Sequence, residues 1–132
     1  MTTPSSARLT REYPARYRLE GARCLACGEI LYPRRLVCPA CGAREFAAHR
    51  LASHGVVKTF TVIHVAGSAF KHQVPYILAV VALEGGGTLT CELTDLVDQQ
   101  PEIGMPVELQ FRRIQEDGEA GVIAYGHKAV PR

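Results

Sequence analysis

From residue 55 onward the chain alternates apolar and polar positions in short runs, the pattern of strands with one buried face. Residues 55–65, Gly-Val-Val-Lys-Thr-Phe-Thr-Val-Ile-His-Val, are rich in β-branched side chains and predict a long first strand. Ala66 to Val74 is small and polar and predicts a loop carrying Phe70, Lys71 and His72. Pro75-Tyr76 opens a second strand over residues 77–83, and Gly85-Gly86-Gly87 predicts a tight turn into a third, Thr88 to Leu93. Asp95 to Gly104 is a connector with room for one helical turn. In residues 107–112 the alternation is clean: Val107, Leu109 and Phe111 are expected to face inward, and Glu108, Gln110 and Arg112 outward. Glu116-Asp117-Gly118 predicts a hairpin turn, and Val122 to His127 the last strand.

Five strands, a long first one and no sizeable helix fit a small barrel of the oligonucleotide/oligosaccharide-binding (OB) type. Strand count alone also permits an SH3-like barrel or an open meander. The second strand breaks the alternation, because Leu78, Val80 and Ala82 make its other face apolar too. A small barrel buries one face per strand, so that second face calls for cover from elsewhere in the chain or from a partner.

The preceding 54 residues follow a different logic. Cys24-Leu25-Ala26-Cys27 and Cys38-Pro39-Ala40-Cys41 are two CxxC pairs, each followed by glycine (Gly28, Gly42). Four thiolates at this spacing close a tetrahedral site for one structural Zn(II) per chain, and they leave no open position for a catalytic water. Two disulfides are the competing reading, and they require an oxidising compartment. Residues 16–50 are therefore expected to form a zinc ribbon, folded by its metal, and residues 51–132 the barrel. Residues 1–15, rich in Thr, Pro and Ser, are expected to form a flexible N-terminal arm.

Charge separates the same two halves. Residues 1–54 hold nine arginines and four acids, and residues 55–132 hold six basic and nine acidic groups. With Zn(II) and four thiolates added, the whole is near neutral, a poor electrostatic footprint for a nucleic-acid partner. The first half has no lysine, and arginine forks onto phosphate or carboxylate with two parallel bonds. No apolar run is long enough to span a bilayer, and the first residues lack the basic and apolar regions of a signal peptide. A cytoplasmic location is the expectation, consistent with reduced thiolates.

Catalytic motifs are missing. The chain has no GxxxxGK[ST] loop, no GxSxG elbow and no HExxH helix. Cys91 alternates with Leu89 and Leu93 on an apolar face, which favours a buried structural cysteine over a nucleophile. His64 lies in a strand pattern and could serve as a base, but an ordinary surface or partly buried histidine is the favoured reading. No set of residues assembles a complete active site.

The series Cys24-x-x-Cys27-Gly28, Tyr32-Pro33-x-Arg35, Cys38-Pro39-x-Cys41-Gly42, Gly55-Val56-Val57-x-Thr59-Phe60-Thr61, Pro75-Tyr76 and Ile103-Gly104-Met105-x-Val107 resembles the acyl-CoA-associated zinc-ribbon/OB-fold proteins. The likeness covers residue 17 to about residue 128 and departs at the front, where members often carry a longer helical segment. It implies a mainly β protein with a rubredoxin-like zinc ribbon ahead of a five-stranded OB barrel. It further implies a small, non-catalytic accessory subunit of a thiolase-type acyl-CoA C-acyltransferase complex, with the nucleophile on a thiolase-like large subunit and a CoA thioester at or near the interface. Under that reading Cys24, Cys27, Cys38 and Cys41 hold the metal, Phe70 is a wedge toward the partner or ligand, and Lys58, Lys71, Arg34 and Arg35 are candidates for CoA phosphates or acidic partner residues. The alternative is a zinc-ribbon/OB protein that binds single-stranded nucleic acid, which requires stacking aromatics and a basic groove on the barrel.

Overall fold

The computed structural model describes residues 6–65, 67, 74–116 and 123–132. Its elements in chain order are helix α1 (Ser6–Tyr17) and strands β1 (Glu20–Cys24), β2 (Ile30–Leu31), β3 (Phe46–Arg50), β4 (His54–Ile63), β5 (Tyr76–Leu83), β6 (Thr88–Leu93), β7 (Pro106–Glu116) and β8 (Ile123–Pro131). The connector between β6 and β7 contains no helical turn; Asp95 and Asp98 bend it with positive φ. The turn expected at Glu116-Asp117-Gly118 falls largely outside the described residues.

Strands β4 to β8 close a barrel in the order β4-β5-β6-β8-β7. An open meander is excluded, because closure requires β6 and β8 to meet in parallel, which they do at Leu93 and Ala129. This is the five-stranded Greek-key barrel of the OB type. Val57, Ala79, Val81, Leu83, Cys91, Leu93, Val107, Leu109 and Ala129 fill its interior. In β5 the alternation places Ala79, Val81 and Leu83 inside. Leu78, Val80 and Ala82 on the other face are only half-buried. Their register partners are Thr61, Thr59 and Val56 on β4 and Glu92, Thr90 and Thr88 on β6, so cross-strand methyl groups give them partial cover.

Phe111 corrects the inward face expected for β7. It shares the parity of Val107 and Leu109, yet half of its surface is exposed. β4 pairs with β7 only from His54 to Val56, against Glu108 to Pro106. Beyond Leu109 the β7–β8 hairpin extends past its pairing with β4, and among the described residues no strand stands opposite its inner face. Tyr17 reaches Phe111 edge-on at 4.7 Å between ring centroids, and Tyr125 stacks on it at 5.6 Å.

Tyr17 belongs to α1, which stands where composition predicts a flexible arm. The Thr, Pro and Ser bias lies mostly in residues 1–6; from Ala7 the chain carries Ala, Arg, Leu and Glu, which are good helix formers. Pro14 is accommodated within the helix, and Leu19, at φ 53°, turns the chain out of it.

Strands β2, β1 and β3 form a second, three-stranded sheet. It docks on one end of the barrel. Leu19 and Leu51 enter the barrel's core cluster, with Ile30 and Tyr32 packed against it. The Leu51 amide donates to the Leu19 carbonyl at 2.8 Å. The glycine turn after β5 lies under this contact: a Cβ at Gly87 would stand 2.6 Å from Leu51, and one at Gly86 2.8 Å from Ile30. The residues Gly85–Gly87 thus form both the expected turn and a seat for the ribbon.

Asp95 receives a two-pronged contact from Arg112, Nη1 to Oδ1 at 3.1 Å and Nη2 to Oδ2 at 2.5 Å. The hydrogen bond from Arg112 holds the Asp95 carboxyl below the usual carboxylate range. The pair therefore contributes stability above the pKa of an unfolded aspartate and loses it as pH falls through the lower folded value. Thermal melts between about pH 5 and pH 2 should show an acid loss that is smaller in Asp95→Asn. Equal acid sensitivity of the two proteins would remove Asp95 from that account. Among the described residues, no helix is long and apolar enough to cross a membrane.

Candidate metal centre

Each CxxC pair folds into the same loop. The Gly28 amide donates to the Cys24 carbonyl at 3.0 Å, and the Gly42 amide to the Cys38 carbonyl at 2.9 Å. In return the Cys24 amide donates to Glu29 and the Cys38 amide to Ala43, at 2.8 and 2.9 Å. Both glycines have positive φ, 81° and 77°, with open space around them, so backbone conformation rather than crowding selects glycine there.

The two loops bring all four sulfurs within 4.8 Å of one another. Cys24 and Cys41 are 3.5 Å apart, and Cys27 and Cys38 3.6 Å. Four sulfurs at about 2.3 Å from a central Zn(II) stand about 3.8 Å apart, so the cage has the right size for a tetrahedral ion. The separations far exceed the roughly 2.0 Å of a disulfide bond, and all five cysteines are free thiols. Cys24 and Cys38 are buried, whereas Cys27 and Cys41 face solvent.

The electrostatics of the cage favour a cation. The backbone N–H of Cys27 is the leading influence that pulls Cys24 down to about 6. Cys27 rises to about 12 and Cys41 rises as well. The amides of Glu29 and Ala43 favour those two thiolates, but burial and neighbouring sulfurs together outweigh them. Crowded sulfurs cannot all carry charge unless a metal dication sits among them. Cys24, Cys27, Cys38 and Cys41 would hold it, and with four protein ligands it would be structural.

The other sequence candidates are dispersed. Lys58 is exposed on β4 at an irregularity between Val57 and Thr59. Arg34 and Arg35 are exposed on the loop after β2, in the ribbon, whereas Lys58 belongs to the barrel. Phe70 and Lys71 lie outside the described residues. Cys91 is buried in the barrel, and burial pushes its thiol up to about 11, which suits a packing role and not a nucleophile. His64 is exposed. His127 is half-buried at the hairpin, where burial lowers its pKa and its ring meets Phe111 edgewise at 5.7 Å.

Two groupings escape a reading by motif. One is the cluster Tyr17, Phe111, Tyr125 and His127, whose rings are joined by strand register and by α1. Phe111 and Tyr125 keep about half of their surface exposed. The other adds Arg44 and Phe46 to Arg34 and Arg35 around one depression. The only hint of it in the sequence is the lysine-free arginine bias of the first half.

Fold and cage together define a zinc-ribbon/OB-fold protein. Residues 11–47 match the family described as "ChsH2, rubredoxin-like zinc ribbon domain", and residues 48–112 match "ChsH2, C-terminal OB-fold domain". The chain belongs to this DUF35 family. It is 43% identical over 122 residues to a "DUF35 domain-containing scaffold protein" of Methanocaldococcus jannaschii, covering 92% of this chain and 86% of that one. It is 32% identical over 110 residues to "Benzoylsuccinyl-CoA thiolase subunit BbsA" of Thauera aromatica, covering 73% and 76%. Among solved structures, a chain of the "Ltp2-ChsH2(DUF35) aldolase" superposes with a TM-score of 0.70 at 28% identity, covering 98% of this chain and 96% of that one.

Proposed function

We propose that this chain is a zinc-containing, non-catalytic accessory subunit of a thiolase-type acyl-CoA acyltransferase complex, acting in the cytoplasm. The observation that carries the reading is the extent of the likeness. Ribbon and barrel together, not the ribbon alone, match a scaffold protein, a thiolase subunit and a chain of an Ltp2-ChsH2(DUF35) aldolase. The cage fits the role, since four cysteine ligands give a metal that braces a fold and leave no position for a substrate. In this reading the barrel packs on the large subunit and helps shape the acyl-CoA site. Phe70, Lys71 and Lys58 of the β4–β5 region are its contacts toward partner or ligand, and Arg34 and Arg35 those of the ribbon.

Purification of the tagged chain from its native host should bring down a thiolase-like protein in fixed stoichiometry. Adding the chain to that protein should raise acyl-CoA turnover. A chain that purifies alone or with nucleic acid, and leaves turnover unchanged, overturns the reading.

A further inference from the structure

One face of the ribbon gathers arginines from two loops. The register pairs Ala22 with Ala48 and Cys24 with Phe46, which puts Ala22 and Phe46 on the same face of the β1–β3 sheet. Ala22 is buried and Phe46 half-buried. They line a shallow depression of about 350 Å³ together with Arg34, Arg35 and Leu36 from the loop after β2 and Arg44 from the second cysteine loop. The Arg34 Nε donates to the Gly21 carbonyl at 3.4 Å, a bond that does not use its terminal nitrogens. Among the described residues, no carboxylate forms an ion pair with Arg34, Arg35 or Arg44. Arg44 stands between this hollow and a neighbouring depression, which it lines with Glu45 and Leu25. Leu36 is 89% exposed at the rim.

Three exposed guanidinium groups around one hollow make a positive patch that favours an anion. Their planar forks match phosphate oxygens two at a time. The phenyl ring and the exposed leucine add flat apolar surface beside the charge. Guanidinium forks next to an aromatic face suit a phosphorylated nucleotide better than bare phosphate. Size adds a limit: about 350 Å³ is at the lower end of small-molecule sites, so the hollow takes a nucleotide fragment and not a whole acyl-CoA.

We propose that Arg34, Arg35 and Arg44, with Phe46 and Leu36, form a binding site for the phosphorylated nucleotide end of an acyl-CoA. The choice of nucleotide rests on the acyl-CoA reading above; the anion site itself rests on the arginines. The acyl end then lies off the ribbon, where a partner's chemistry can reach it.

The test is direct binding to the full zinc-loaded chain by calorimetry and by NMR shifts, with adenosine 3′,5′-bisphosphate, CoA, adenosine and inorganic phosphate as probes. The bisphosphate and CoA should bind, with shifts centred on residues 34–36, 44 and 46, and affinity should fall with salt. R35Q/R44Q should weaken both about tenfold or more while keeping its zinc and its melting temperature. Adenosine should not bind, and inorganic phosphate should bind more weakly than the bisphosphate. No binding of the bisphosphate, or binding undiminished in R35Q/R44Q, overturns the site. Equal binding of phosphate and bisphosphate overturns the nucleotide assignment. A complex that forms and turns over acyl-CoA with the same KM in R35Q/R44Q defeats this inference and leaves the subunit reading standing. Failure of the wild-type chain to join any acyl-CoA enzyme defeats the subunit reading, while the binding data still decide the anion site.

Discussion

Cys38→Ala is expected to abolish stoichiometric zinc and unfold the ribbon. Structural Zn(II) in small modules contributes about 10–16 kcal/mol of binding free energy at neutral pH, and that free energy is their folding free energy. Here the ribbon has two short strands and a two-residue one, with little interior beyond the sulfurs. Three cysteines cannot complete the cage, and loss of the buried Cys38 side chain also leaves a void. The effect should extend into the barrel, because Leu19 and Leu51 reach its core from the ribbon side. Elemental analysis should give one zinc per chain in the wild type and far less in the variant. Hydrogen exchange should show β1–β3 unprotected, β4–β8 still protected, and a lowered barrel melting temperature. Cys27→Ser removes a ligand at an exposed position without opening a void, so it separates coordination from packing. A Cys38→Ala protein with full zinc and a protected ribbon would show that Cys38 is not a ligand.

Gly55→Ala should destabilise the barrel by about 3 kcal/mol, the upper end of ordinary overpacking. Gly55 is paired with Leu83 on one side and Val107 on the other, on the strand that closes the barrel. A Cβ there would lie 2.1 Å from the Ala82 carbonyl oxygen and 2.8 Å from the Leu83 Cα. Both are backbone atoms of a paired strand, so relief requires β4 and β5 to separate. The usual gain from stiffening the unfolded chain, at most about 1 kcal/mol, does not offset that. Urea denaturation should show a lower midpoint with an unchanged slope. An unchanged midpoint would mean that the two strands do not approach this closely at Gly55.

Most of this barrel was legible because a strand's burial has a period of two, and five segments carry it. The cysteine cage was legible because the two cysteines of each loop are three residues apart and the glycine after each loop serves its backbone. Strand β3 was not, since Phe-Ala-Ala-His-Arg has no alternation of its own and is ordered by pairing with β1. Helix α1 was masked by the composition of the residues before it, and it leans on Phe111 through Tyr17.

The sequence by itself determined the four cysteines of the cage, the strands and the buried place of Cys91, because each depends on neighbours a few residues away. Only the tertiary structure decided that the glycine turn seats the ribbon, that Phe111 stays half-exposed, and that Arg44 joins Arg34 and Arg35 around one hollow. Those outcomes depend on where the hairpin extends past its pairing with β4 and how two loops flank one sheet. They are distances between residues far apart in the chain, which no local periodicity encodes.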